Sequence, residues 1–402
     1  MSDEVTKSSF GEKAIAVNIF LLKLCGILPF KTTLIINLDW TNLLAAISFI
    51  SLSTYSVSYS YEFIVHMSHV DTALEFFSMI ISLVGGQARY VILYLKRKKF
   101  RNMLKLCERL WTSLDRDERS WVIVYTNKTK RLTYYYLFGC AFTIFFYAIA
   151  SLFVSTSIDN ANGTSIRNLP YAFILDIHES PYFETAYAYQ LITMIDVGLT
   201  CVGADTVGPV MILIACGHLK VIQNKMSSLL DETKSIVNEY DRDNDESYYF
   251  RDVRIKFNGY VNYHGTVLEF CKDIEELANV IFLTQLIGST YNISLVGFKL
   301  AGDDPDKYKY TTQVLIAVIQ LFLCNWPPDV LLFETAAVAN SAYSTPWYIY
   351  PIELRRSMHI VIMRSQKAIR LTAGKFAYLS LETFASMIST AASFFTMIRS
   401  MN

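Results

Sequence analysis

Residues 132 to 158 read LTYYYLFGCAFTIFFYAIASLFVSTSI, 27 consecutive positions without Asp, Glu, Lys, Arg or His. A helix needs roughly 20 mainly apolar residues to cross about 30 Å of hydrocarbon, so this stretch is long enough to span a bilayer. Residues 41 to 61 and 277 to 298 share the property. Four more segments reach spanning length with polar content: 71 to 95 with Glu75 and Arg89, 187 to 217 with Asp196 and Asp205, 310 to 333 with Asp329, and 376 to 398 with Glu382. The expectation is an all-α membrane protein of seven transmembrane helices. Bulk composition agrees: 52% of the 402 residues are apolar and 14% aromatic, and mean hydropathy is +0.29, above what an ordinary soluble core needs.

Orientation follows from the basic residues between spans, because Lys and Arg are retained on the cytosolic side. Thirty of the 36 Lys and Arg fall in residues 1–40, 96–131, 218–275 and 339–375, five fall in the alternate connections and at the chain end, and Arg89 lies within a span. The N-terminus is therefore expected in the cytosol and the C-terminus outside. The sequon Asn162-Gly163-Thr164 then falls outside, where Asn162 can be glycosylated, and Asn127-Lys128-Thr129 falls inside, where it cannot. Segments 96–131 and 218–275 continue from spans in helix-compatible, mixed-charge sequence and are expected to project into the cytosol as helices. The acidic run from Glu239 to Glu246 reads as a solvated loop between two such projections.

The expected organisation is a cytosolic or interfacial segment over 1–40, six spans with their extensions over 41–338, a cytosolic helix over 339–375 and a last span over 376–402. The apolar run Ile19 to Leu24, ending at Pro29, is too short to cross and either lies at the interface or re-enters. The beginning of the chain lacks the basic and apolar regions of a removable signal peptide.

Several classes are excluded. The formal net charge is zero, with no basic field for nucleic acid. Seven scattered cysteines without a CxxC pair suggest neither a structural metal nor a disulfide framework. His66 and His69 sit three apart beside Asp71 without further ligands and read as loop residues. No nucleophile elbow, P-loop, dinucleotide fingerprint or HExxH is present, so neither an enzyme nor a bound cofactor is expected.

Two features of the spans carry chemistry. On a helical wheel Ser386, Ser389, Thr390, Ser393, Thr396 and Ser400 share about a third of the circumference of the last span with Glu382 and Met397. Such a stripe of hydroxyls can line water or pack closely on another helix. Arg89 and Asp205 each lie about 18 residues into inward-running spans, at equal depth by the helical rise, and are expected to interact.

The stretch Ala342-Tyr343-Ser344 and Trp347, Ile362-Met363-Arg364-Ser365-Gln366-Lys367, Leu371-Thr372-Ala373-Gly374-Lys375-Phe376, and Leu379-Ser380-Leu381-Glu382-Thr383-Phe384 closely resembles the C-terminal signature of insect odorant receptors. Roughly 60 residues match in order. The resemblance implies a tetrameric, ligand-gated, non-selective cation channel with the last helix of each subunit lining the pore and the cytosolic helices forming an anchor domain. It also implies heterotetrameric assembly with a shared odorant co-receptor in the plasma membrane of an olfactory neuron's dendrite or cilium. The segment between the fourth and fifth spans is much shorter than a co-receptor's, as in a ligand-specific subunit. The pore constriction would involve Met397, Ser400 and Met401. Arg399, Asn402 and the pair Pro327-Pro328 depart from the family pattern, and two prolines should kink or end the sixth span.

In the resembled family a small apolar odorant binds in the outer half of the bundle among the second, third, fourth and sixth spans. The expected topology then selects Phe76, Phe77 and Ile80; Tyr147, Ala150, Ser151 and Val154; Tyr189, Thr193, Met194 and Val197; and Thr312, Ile316 and Gln320. Aromatic and methionine walls suit a volatile held by shape and dispersion. The rival readings are a metabotropic seven-helix chemoreceptor, which needs the reversed topology, and a gustatory-type channel, whose last-helix signature is missing.

Overall fold

A computed structural model of the protein describes residues 15–29, 40–154, 157–158, 165–166, 169–171, 180–239, 250–301 and 307–401. The described fold is almost wholly helical. Helix α1 (Ala16–Leu24) is followed by α2 (Trp40–Val65), α3 (Val70–Leu95), α4 (Arg97–Thr112) and α5 (Arg116–Val154). Two-residue strands β1 (Ser157–Ile158) and β2 (Ser165–Ile166) pair antiparallel. Then come α6 (Tyr182–Glu239), α7 (Arg251–Ala301) and α8 (Lys307–Tyr343), a 3-10 turn (Trp347–Ile349), α9 (Ile352–Gln366), the strands β3 (Thr372–Ala373) and β4 (Ala377–Tyr378), and α10 (Leu381–Met401).

Six described helices, namely α2, α3, α5, α6, α7 and α8, are long and apolar enough to cross a membrane by length and composition. The expected last span corresponds to α10, 21 residues long. At the helical rise the 58 residues of α6 and 51 of α7 run about 87 and 77 Å, far beyond a bilayer's hydrocarbon thickness. Their ends must therefore lie outside it. Helix α6 is the hub: its stretch from Val207 to Ile222 is buried almost throughout, packed between α5, α7 and α8.

Beyond the spans the helices are joined by polar and aromatic contacts. Helix α4 buries Phe100, Met103, Cys107, Leu110 and Trp111, spaced as one helical face. At the edge of that face Lys99 pairs with Asp273 at 3.0 Å and with Glu276, tying α4 to α7. Lys225 of α6 pairs with Glu118 of α5, and Glu334 of α8 accepts from Tyr125 of α5 and, at 2.8 Å, from Gln223 of α6. Tyr350 is fully buried and shares a 2.9 Å hydrogen bond with Thr233.

Some elements differ from the sequence reading. The third span ends at Val154 rather than 158, because Ser157 and Ile158 pair with Ile166 and Ser165. The region 339–375 divides between the end of α8, α9 and the β3–β4 hairpin, and the last helix starts at Leu381 rather than 376 because Ala377 and Tyr378 are in β4. Helix α8 does not end at Pro327 and Pro328 but runs through both to Tyr343. Proline here forfeits the bonds to two carbonyls, and burial of Leu321, Leu323, Cys324 and Leu331 around the pair holds the helix together. The short apolar segment α1 is embedded: Leu21 and Leu22 are buried, and Asn18 donates to Thr133 at 3.0 Å and Thr206 at 2.9 Å. The Glu239–Glu246 run lies outside the described residues except for Glu239, as does Asn162.

Candidate functional site

The site is built on a buried ion pair. Arg89 on α3 and Asp205 on α6 are 4% and 5% exposed, and Arg89 Nε lies 2.6 Å from Asp205 Oδ1. A charge removed from water is tolerable only when paired and hydrogen-bonded. The remaining carboxylate oxygen accordingly accepts from Tyr136 Oη of α5 at 2.7 Å and Gln320 Nε2 of α8 at 3.1 Å. Gln320 also donates to Tyr136 Oη at 2.6 Å. Four helices are thus pinned to one carboxylate. The pairing expected from equal depth is present; Tyr136 could not be anticipated as a member, since a tyrosine in an aromatic span carries no distinguishing signal.

Beside this cluster lies a cavity of about 190 Å³. Helix α5 contributes Tyr136, Cys140, Thr143, Ile144 and Tyr147; α6 contributes Met194, Val197, Gly198 and Cys201; and α8 contributes Gln313, Ile316, Ala317 and Gln320. Met79 and Ser82 of α3, Tyr55 of α2 and Asn292 of α7 complete the wall. From Tyr136 to Tyr147 the wall climbs 11 residues, about 16 Å at the helical rise. Gln313 donates to Tyr147 Oη and, at 3.7 Å, to Met79 Sδ, so three helices meet there. Tyr171 sits on Tyr55 edge-on at 4.2 Å. It is clasped by Gln190, which accepts from its N–H and donates to its carbonyl, each at 3.1 Å.

Of the expected ligand contacts, Tyr147, Met194, Val197, Ile316 and Gln320 line this cavity. Phe76 and Ile80 pack against the core next to it, with Phe76 tilted on Tyr59 at 6.1 Å. Phe77 and Tyr189 face away, 42% and 41% exposed. Thr193, Thr312 and Ser151 are buried but turn their hydroxyls to Gln190 O, Lys309 O and Ala148 O. Ala150 and Val154 lie in α5, and their side chains are outside the described ones. Depth was legible and helix face was not, because these spans are apolar on every side. Met79, Ser82, Thr143 and Gln313 escape the sequence reading for that reason, and Tyr55 and Asn292 escape it because they lie on the first and fifth spans.

The last helix presents two faces. Phe384, Met387 and Ile388 pack on the core, with Phe384 edge-on to Phe322 at 5.9 Å. Ser386, Ser389, Thr390, Ser393, Thr396 and Ser400 are exposed, as is Met397 at 52%. Thr390 and Ser393 donate to Ser386 O and Ser389 O, and Thr396 and Ser400 to Ser393 O and Met397 O. These four hydroxyls are satisfied within the helix while their residues stay exposed, an arrangement open to water or to another chain. The Met401 side chain is outside the described ones. Among the described residues no group of three or more His, Cys, Asp and Glu is disposed to hold a metal.

The fold has solved counterparts. The olfactory receptor OR5 of the insect Machilis hrabei superposes with a TM-score of 0.74 over 97% of this chain and 98% of that one at 13% identity. The same receptor in complex with eugenol gives 0.75 at 14% identity. In sequence the chain is 22% identical to odorant receptor 13a of Drosophila melanogaster over 338 residues, 76% of that protein. It is 27% identical to the odorant receptor coreceptor of Aedes aegypti over 149 residues, 31% of that protein. The family model described as 7tm Odorant receptor matches residues 69–392. With four-fifths of its length under that model and the matching fold, this multi-pass membrane protein belongs to the 7tm odorant receptor family, a family of receptors and not of enzymes.

Proposed function

We propose that the chain is the odorant-specific subunit of a ligand-gated, non-selective cation channel. In this reading it has seven transmembrane helices, a cytosolic N-terminus and an extracellular C-terminus. The extensions of α5, α6 and α7 with α4 and α9 form a cytosolic anchor domain, and α10 lines the pore. The observation that carries the reading is the cavity walled by α3, α5, α6 and α8, whose Met79, Ile144, Met194, Val197 and Ile316 offer a volatile, mainly apolar molecule a dispersive fit. The 30 cytosolic-side basic residues support the orientation. The exposed hydroxyl face of α10, with Met397 and Ser400 near its end, supports the pore.

The partner is an odorant co-receptor, completing a heterotetramer in the plasma membrane of an olfactory neuron's dendrite or cilium, with Asn162 glycosylated outside. Likeness to co-receptors over 149 residues supports shared assembly surfaces. The test is voltage clamp of cells expressing the chain with and without a co-receptor during application of a volatile panel. Agonist-gated current requiring both chains is the expected result. Current from the co-receptor alone that this chain leaves unchanged in ligand profile would refute the assignment.

A further inference from the structure

A groove descends the outside of the bundle between α2 and α3. Ala45, Ala46 and Phe49 of α2 and Val91 of α3 wall it, and Asn42 and Tyr94 stand at its end. Ala46 and Phe49 are exposed, and Leu43, Ile47 and Ile50 beside them are exposed as well. Tyr90, at its back, directs its hydroxyl inward to Cys25 O and Ala45 O. From Asn42 to Phe49 the groove runs about 10 Å at the helical rise, apolar except at the Asn42 end. There the Arg97 guanidinium lies over the Tyr94 ring, 4.2 Å from its centroid. Arg97 donates to Asn42 Oδ1 at 3.0 Å, as the Tyr94 hydroxyl does at 3.1 Å. The remaining guanidinium N–H groups have no acceptor among the described residues.

The charge around that end is one-sided. Residues 96 to 105 hold six Lys and Arg and no Asp or Glu. Lys96 and Lys99 are drawn to α7, the first donating to Leu277 O at 3.4 Å and the second pairing with Asp273 at 3.0 Å. Arg97 and Lys98 pair with no carboxylate among the described residues, and Lys98 is exposed. A planar guanidinium with donors to spare matches a phosphate. Basic residues just cytosolic of a span attract anionic lipid, and an apolar groove leading from that point into the hydrocarbon takes an acyl chain. A soluble phosphate would leave the groove empty. A second subunit is placed elsewhere, since α2 packs on α3 and α6 while α10 packs on α7 and α8, so the groove faces outward from a tetramer built around α10. We propose that it binds an anionic phospholipid of the cytosolic leaflet, with the phosphate on Arg97 and Lys98 and one acyl chain between α2 and α3. This rests on the cytosolic placement of the α3 C-terminus in the proposed topology.

The test uses phosphatidylserine and phosphatidylcholine carrying the same diazirine-tailed acyl chain, so that only the headgroup differs. The full chain in phosphatidylcholine nanodiscs is irradiated with a trace of either probe, and labelled peptides are mapped by mass spectrometry. Peptides covering residues 42–49 and 91–94 are expected to carry about fivefold more label from the phosphatidylserine probe, the preference of one basic residue at the surface. Arg97→Gln with Lys98→Gln should remove that excess while labelling by the phosphatidylcholine probe persists. Ala46→Trp, which fills the groove, should lower labelling by both. Equal labelling of the wild-type protein, or an excess that persists in the double variant, would overturn the site. So would an excess abolished by soluble glycerophosphoserine, which has the headgroup without the tails. The wild-type contrast decides the matter even where a variant fails to fold. A nanodisc offers the same lipid to both leaflets, so this readout is independent of orientation. Orientation is read separately from Lys98→Cys, which a membrane-impermeant maleimide should label above the wild-type background only in permeabilised cells. Labelling in intact cells would overturn the cytosolic leaflet and the proposed topology together, whatever headgroup contrast the nanodisc shows.

Discussion

Arg89 and Asp205, 116 positions apart in sequence, meet inside the bundle with 2.6 Å between Nε and Oδ1. The carboxylate also holds Tyr136 and Gln320, so the pair organises four of the six helices that wall the cavity. Removing one partner strands the other charge, at a cost of about 3–5 kcal/mol. Arg89→Met and Asp205→Leu alone are therefore expected to lower the unfolding midpoint sharply and to deplete surface expression. The double variant, with no charge left to strand, is expected to recover much of the loss. Single variants as stable as the parent, or a double variant bearing the sum of both losses, would show that the pair is not coupled.

Val197 lines the cavity and is largely buried. Val197→Phe adds volume into that space, and overpacking costs about 1–3 kcal/mol. Surface expression should fall modestly while agonist potency falls at least tenfold. Dose–response curves on surface-matched cells check this; an unchanged potency would place the ligand elsewhere.

The hairpin ahead of the last helix hangs on α7. Thr372 N–H and Oγ1 donate to the Glu275 carboxylate, and Gly374 N–H donates to Asn279 O at 2.9 Å. Gly374 has φ +58°, and a Cβ there would run into the Leu283 side chain. A non-glycine residue in this left-handed region costs about 1–2 kcal/mol before any clash. Gly374→Ala should lower the unfolding midpoint by several degrees. In Gly374→Ala with Leu283→Ala the clashing Leu283 atoms are gone, so its loss should fall short of the two single losses added. Strict additivity in thermal unfolding would contradict the contact.

On α10, Ser393 and Met397 are exposed while Phe384 and Met387 hold the helix to the core. Ser393→Leu and Met397→Ser should change relative cation permeability and single-channel conductance with agonist potency shifted by less than about twofold. Reversal potentials in mixed-cation solutions provide the measure. Altered potency with unaltered permeation would mean that this face packs on another helix rather than lining water.

What could be read from sequence depended on which physical signal each part emits. Spans announce themselves through length and apolarity, and the Arg89–Asp205 encounter followed from counting helical rise inside spans of known direction. The same count put Tyr147, Met194, Val197, Ile316 and Gln320 at the right height. It could not tell them from Phe77 and Tyr189, which share that height and face outward, because an all-apolar helix has no moment to orient it. Asn292 and Gln313 were passed over among apolar neighbours, although an amide in a span is itself a reason to look. The β3–β4 hairpin is too short to show a period of two, and only the left-handed Gly374 and Lys375 mark its turn.

The most direct test of the central claim is an outside-out membrane patch, excised from cells expressing the chain with an odorant co-receptor, perfused with agonist and without nucleotides. If the chain is a channel subunit, agonist opens cation channels in the patch within milliseconds, and Met397→Ser changes their permeability. Current that vanishes on excision and returns only when GTP is supplied would contradict the claim and identify a metabotropic receptor instead.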